Sequence, residues 1–339
     1  MTKPLGEDVF LKQRRALVML LRRTPRESSL NIAKATLDFT RRIILSGNFK
    51  STEELIKIIK YQRELMMAAE PYEFIVSNVM LSVLKMVREE SEEVRLGGED
   101  LSQYDLLNKL WNAPTSHDKE LATKSLRKST LAAIDELRAE MDTCLENICS
   151  HAVDQICSTD VVITHSLSKS STLRAFFEAA RKAHRSFRLF TVDEDSNLAA
   201  SLSSTDILPA MRHATRVVIP AIALLPDGSC IAPSGTISLC LAAKRHVVPV
   251  LVCASFYKIT PFFIPNFHLS QPLCSPASIV SFAEAESLSN VHIVNPLFDL
   301  IPAQLVSLYI CHTSILSPPH IYRLIGDYYH PNDISNICA

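Results

Sequence analysis

The chain has 339 residues, 47% of them hydrophobic, and a formal net charge of −1. That much apolar material builds a core and excludes a disordered chain. The balanced charge excludes a broad basic face gripping nucleic acid. No run of ~18 uncharged apolar residues occurs, so no membrane-spanning helix is expected.

The opening stretch, MTKPLGEDVFLKQRRALVMLLRR, contains acids and no small-residue cleavage site. It does not read as a signal peptide. Ser51-Thr-Glu-Glu54 forms a capping box ahead of Leu55, Ile58 and Ile59. Tyr72, Ile75, Val76, Val79, Met80, Val83, Leu84 and Val87 recur at helical spacing, and Pro71 suits the first turn of that helix. Arg95–Gly98 reads as a loop, and Ser102–Trp111 as a short docked helix with the single Trp as a packing residue. Ile134, Leu137, Met141, Leu145, Ile148 and Ala152 form one stripe on a long helix ending near Ile156.

From there the pattern alternates. Val161–Thr164, Phe187–Val192, Val217–Ile219, Pro249–Val252 and Val291–Val294 read as strands. Thr172–Ala183, Ile207–His213, Thr236–Ala243 and Pro319–Tyr329 read as helices. The pattern fails between Ser255 and Ser289, which predicts a long surface loop. Alternation of this kind predicts a mostly parallel sheet. Charge marks the boundary: residues 1–150 carry 23 of the 35 basic and 23 of the 36 acidic residues. Helices with one wet face need charges, and a sheet covered on both faces does not. The expected architecture is α/β: an N-terminal helical domain, 1–150, then a Rossmann-like domain, 151–339, with a mostly parallel sheet.

The most informative segment runs from Arg216 to Cys253. It reads as a buried strand, the loop AIALLPDGSCIAPSG, a helix and a second buried strand. Loops after strands are where open α/β sheets bind ligands, and Ser234-Gly235-Thr236 opens a helix N-terminus there. Yet the loop's reactive groups are only Cys230 and Asp227. Thr164-His165-Ser166 follows the first strand. Sequence neighbours on a strand point apart, and G-x-S-x-G is absent, so no nucleophile is expected. Asp193-Glu194-Asp195 follows the next strand and reads as a solvated loop rather than a site for Mg²⁺ or a ribose hydroxyl. The eleven His residues never take metal-ligand spacing, so no metal is expected. With only 7 glycines there is no Gly-rich nucleotide loop, and no cofactor is expected. Nine cysteines without CxxC or CxxH spacing read as buried thiols in a reducing compartment, hence a cytoplasmic chain.

The segments KPLGEDVFLKQRRALVMLLRR, VVIPAIALLPDGSCIAPSGTISLCLAAKRHVVPVLVCASFYK, NPLFDLIPAQLVSLYI and IYRLIGDYYHPND carry a family resemblance. The chain resembles the regulatory subunits of translation initiation factor 2B, most closely the beta type. The resemblance implies a non-catalytic regulatory subunit of the guanine-nucleotide exchange complex for initiation factor 2. Its implied partners are the delta subunit for pairing, the alpha, gamma and epsilon subunits, and the alpha subunit of initiation factor 2, with no direct nucleic acid and no membrane. The pairing segments it implies contain Asp206, Asn295, Leu297, Phe298, Asp299, Tyr328, Tyr329 and His330.

These subunits share a fold with methylthioribose-1-phosphate and ribose-1,5-bisphosphate isomerases, so a sugar-phosphate isomerase or binding protein is the alternative. The isomerase Cys falls here at Ser166 and the Asp at Ile222; Ala232-Pro233 replaces a substrate-lining Asn-Lys. Ser234, Gly235 and Thr236 complete a vestigial ligand pocket. Proton transfer between sugar carbons needs an acid and a base, and Ile222 supplies neither.

Overall fold

The computed structural model describes residues 10–23, 27–46, 49, 51–96, 116–264, 267, 271–281, 284 and 290–334. Gly97, Gly98, Trp111 and the helix expected around Trp111 lie outside them. The chain divides into two compact units, Met1–Thr143 with Gly326–Ala339, and Cys144–Ile325. The division falls at 143/144 rather than after residue 150, and the chain's last residues join the first unit. The expected 151–339 domain had included them.

The first unit is helical: α1 (Leu11–Leu21), α2 (Ser29–Ser46), α3 (Thr52–Ala69), α4 (Phe74–Leu96) and most of α5 (Ser116–Ser150). Ser51 caps α3 by accepting from the Glu54 amide at 3.3 Å. The stripe Ile75, Val76, Val79, Met80, Val83, Leu84 and Val87 is buried. It meets Ile32, Leu37, Ile43 and Ile44 of α2 and Leu55, Ile59 and Met66 of α3 at the centre of the unit. Buried hydroxyls are satisfied by back-bonding: Thr36 Oγ1 donates to Ile32 O and Thr40 Oγ1 to Leu37 O, both at 2.8 Å. Pro71 sits in the turn before α4, not in its first turn. Helix α4 continues through Arg95 and Leu96, which the sequence reading assigned to a loop.

The second unit begins with the end of α5 and the short α6 (Ala152–Gln155). Its sheet has seven strands in the order β10-β9-β7-β4-β1-β2-β3. They are β1 (Val161–His165), β2 (Arg188–Val192), β3 (Ala200–Leu202), β4 (Arg216–Pro220), β7 (Val250–Cys253), β9 (Leu308–Ile310) and β10 (Ile315–Leu316). All pairs are parallel except β9–β10. Helices α7 (Ser171–Lys182), α8 (Ile207–Ala210) and α9 (Thr236–Arg245) lie in the connections. The central strands β1, β4 and β7 are nearly all buried, as apolar runs covered on both faces must be. Helix α8 stops at Ala210, and tight turns carry the chain to His213, where one helix had been expected.

The loop after β4 is not irregular. Ala223–Leu224 (β5) and Cys230–Pro233 (β6) pair antiparallel, and β6 pairs with Phe298–Ile301 (β8) in a second, three-stranded sheet. The strand expected at Val291–Val294 is absent. Those residues are largely exposed and pair with no strand among the described residues; the strand begins at Phe298. Ser255–Thr260 was expected in a surface loop but is buried, with Ile259 bridging Leu224. The end of the second unit enters α10 (Ile321–Tyr328).

Candidate functional site

Strand β1 lies between β2 and β4, so the strand order reverses at β1. In open α/β sheets the ligand crevice opens at that point, beyond the carboxyl ends of the strands. Here it is bounded by His165-Ser166 after β1, Ala221-Ile222 after β4, and Gly235-Thr236 at the start of α9. The structure thus gathers His165, Ser166, Gly235 and Thr236 at one place.

Ser166 leaves the strand in left-handed backbone, with φ 54°. That turn brings its Oγ within 3.2 Å of His165 Nδ1, contrary to the expectation that these neighbours point apart. The pair is nevertheless not a nucleophile and base. His165 Nδ1 also lies 3.0 Å from Thr236 Oγ1, and that hydroxyl donates to Pro233 O at 2.6 Å. With its only hydrogen spent on Pro233, Thr236 Oγ1 accepts, so His165 Nδ1 carries the proton and cannot take one from Ser166. Burial holds the imidazole below its ordinary pKa; Glu194, Asp299 and Asp193 oppose the shift and Lys169 adds to it. The ring packs over the start of α9: a Cβ added at Gly235 would lie 3.2 Å from His165 Nε2.

Helix α9 presents its N-terminus to this crevice, the usual seat of an anion. The seat is filled from within. Asp299 Oδ2, from β8, accepts from the Ile237 amide at 3.1 Å. Two of the acids after β2, Asp193 and Glu194, are spent locally as well. Glu194 accepts from the Ser168 amide at 3.1 Å and its hydroxyl at 2.9 Å, and Asp193 takes the Ser204 amide at 2.9 Å. Below the crevice, buried Lys258 donates Nζ to Ala221 O at 2.8 Å. Burial pushes the Cys230 thiol up to about 12, so it supplies no thiolate. No group of three or more metal-ligating side chains occurs among the described residues.

Ser234 lies near by and donates its amide to Leu297 O at 3.2 Å. Half-buried Ile222 donates its amide to Ile231 O at 2.8 Å, which fixes the β5–β6 hairpin. The other named positions are dispersed. Asp206 is exposed, Phe298 is buried, and Tyr328, Tyr329 and His330 belong to the helical unit, Tyr329 fully buried. Asn295 donates from Nδ2 to Ser275 O and Ser278 Oγ, both at 2.8 Å. The sequence reading missed Lys258 and the capping role of Asp299. A carboxylate between Phe298 and Leu300 in an apolar strand is the signal that could have exposed the latter.

A separate cavity of about 430 Å³ opens at the amino ends of β1 and β2. Val161, Ile163, Arg188, Phe190, Leu202, Ala210 and His213 line it, with no carboxylate and no thiol.

The profile of the Initiation factor 2 subunit family matches residues 26–197 and 204–318. The chain belongs to that family. A relative from Dictyostelium discoideum, translation initiation factor eIF2B subunit beta, is 29% identical over 94% of this chain and 95% of its own length. Among solved structures, eIF2B beta from Chaetomium thermophilum superposes with a TM-score of 0.74 at 18% identity, covering 96% of this chain and 94% of that one. A chain of the tetrameric eIF2B-beta2-delta2 complex from C. thermophilum gives 0.70, at 18% identity over 94% of this chain and 95% of that one. The fold is also that of 5-methylthioribose 1-phosphate isomerase from Pyrococcus horikoshii, with a TM-score of 0.53 at 14% identity over 94% of this chain and 87% of that one.

Proposed function

We propose that this chain is a beta-type, non-catalytic regulatory subunit of the guanine-nucleotide exchange complex for initiation factor 2. The observation that carries the reading is the Asp299–Ile237 contact, which puts the chain's own carboxylate where a phosphorylated ligand would bind. On the family resemblance, Ser166 and Ile222 fall where the isomerases have a Cys and an Asp, and Ile222 cannot exchange a proton. The proton on His165 Nδ1 leaves no base for Ser166. On this reading the crevice lacks the Cys and the Asp that the isomerases work with.

Pairing with a delta counterpart is supported by an apolar surface beside β8. Leu273, Ile279, Val291, Val294 and Leu297 are between 36% and 59% exposed. The Cys274 amide to Asn295 O at 2.7 Å and the Leu297 amide to Pro272 O at 3.0 Å knit this surface together. Apolar side chains clustered in water mark an interaction site. In the assembled complex the alpha, gamma and epsilon subunits join the pair, and the N-terminal helices contribute to sensing the alpha subunit of initiation factor 2.

The test is twofold. The purified chain should show no turnover of methylthioribose-1-phosphate or ribose-1,5-bisphosphate, and it should co-purify with its delta counterpart. Turnover abolished by Ser166→Ala would overturn the non-catalytic reading.

A further inference from the structure

From Gly326 to Ile334 the chain runs back into the helical unit, and three cations on α3 and α4 receive it. Lys85 Nζ donates to Gly326 O at 3.2 Å and to Asp327 O, carbonyls at the end of α10. Arg88 holds the Asp333 carboxylate with both arms of its guanidinium, Nε to Oδ2 at 2.9 Å and Nη2 to Oδ1 at 2.8 Å. Lys60 Nζ lies 2.7 Å from the same Oδ1. Asp333 is 2% exposed. Beside it Tyr329, 1% exposed, bonds its hydroxyl to the Ser82 side chain.

Among the described residues no other acid bridges Lys60 or Arg88. Near them Arg63 is buried, feels the Asp333 charge, and donates to Ser77 Oγ at 3.2 Å. Helices α3 and α4 therefore face each other with Lys60, Arg63 and Arg88 close together. Asp333 is the buried member of this bidentate pair, and removing its charge leaves two partly desolvated cations without a counter-ion, which is unfavourable.

We propose that residues 326–334 are a closing strap for the helical unit, with Asp333 as the counter-ion of the Lys60–Arg88 cluster, so that strap, α3 and α4 open and close as one cooperative body. The first unit is then completed by residues 326–334. The second unit, made wholly of residues 144–325, needs none of them.

Hydrogen-exchange mass spectrometry on the full chain tests this, comparing the wild type with Asp333→Asn. Amides of 326–334 and of α3 and α4 around Lys60, Ser82 and Arg88 should exchange faster together, by about tenfold or more, while β1, β4 and β7 keep their protection. Faster exchange in 326–334 alone would show a passive tail and overturn the proposal. No change, or equal loss across the sheet, would overturn it as well. If the variant does not accumulate folded, exchange of the wild type in graded urea decides. One shared opening free energy for 326–334 and α4 supports the strap, and two distinct values contradict it.

Discussion

His165 Nδ1 lies 3.0 Å from Thr236 Oγ1, and this contact joins the end of the first sheet strand to the start of the crevice helix across 71 residues of sequence. The imidazole packs against the start of that helix, beside Gly235, and burial favours its uncharged form. Burial depresses its pKa from the ordinary 6.5, against the pull of Glu194, Asp299 and Asp193 and with the help of Lys169. The unfolded chain then binds more protons than the folded one just below that value. Stability therefore falls as the pH drops through about 6.5 toward the folded pKa. Melting temperatures between pH 7.5 and pH 5.5 should decline less steeply for His165→Gln than for the wild type. Equal slopes would remove His165 from the acid sensitivity.

Asp333 works in a lower window. Burial opposes its ionisation, but hydrogen bonds from Arg88 and Lys60 win and hold its pKa below 3.8. Its contribution is present above that value and is lost as the pH falls through the depressed one. The groups acting on it are Lys60 on α3 and Arg88 on α4, and its charge reaches Arg63 on α3. Acid titration watched by helix-specific exchange should therefore show a loss below pH 3.8 that Asp333→Asn lacks.

Three substitutions in the loop before α9 rank by geometry. Gly228 has φ +78°, and a Cβ there would lie 2.6 Å from Pro318 O, a backbone atom. Gly228→Ala should cost about 2–4 kcal/mol. Gly235 has φ +93° and faces the His165 ring, so Gly235→Arg should cost at least about 2 kcal/mol. Asp227 is exposed and accepts from the Ser229 amide and hydroxyl through Oδ1, which Asn retains. Asp227→Asn should stay within about 0.5 kcal/mol. Urea melts of the three variants check the order.

Two helix ends should accept a stabilising change. Val247 and His184 follow α9 and α7 with φ 56° and 59°, the left-handed position usually held by glycine. The Val248 amide to Ala243 O at 2.9 Å and the Arg185 amide to Ala180 O at 3.1 Å complete the same capping turn. Val247 is 89% exposed and β-branched, so nothing compensates its strain. Val247→Gly should raise stability by about 1 kcal/mol and His184→Gly by somewhat less, read from urea midpoints.

Asp299→Ala removes the internal anion at α9. A loss of about 1 kcal/mol is expected, as for other carboxylates at helix N-termini. Asp299→Asn, which keeps an acceptor, should recover part of it in the same thermal melt.

Much of this architecture was legible in the sequence, and the misses share a cause. The α4 stripe from Ile75 to Val87, the Ser51 cap and the buried runs of β1, β4 and β7 carry period and length enough to be read locally. The hairpin at Ala223–Pro233 has strands of two and four residues, too short for any period, and it exists because β8 pairs with it from far along the chain. Val291–Val294 has the β-branched residues of a strand but pairs with none among the described residues. In the crevice, Ser166, Gly235 and Thr236 were findable from the strand–loop–helix pattern. The neutral, packing role of His165 was not, because it depends on Thr236 and Pro233. The left-handed Ser166, His184, Asp193 and Val247 were hidden by residue type; a chain with 7 glycines puts other residues at such positions.

The proposed function requires that the chain pair with a delta counterpart. Native mass spectrometry of the chain co-expressed with its delta counterpart tests it most directly, with Leu297→Asp as the comparison, since Leu297 is partly exposed in the apolar surface beside β8. The wild type should form a heteromer, and the variant should lose it while its melting temperature stays within a few degrees. A stable wild-type monomer that ignores the delta chain would contradict it.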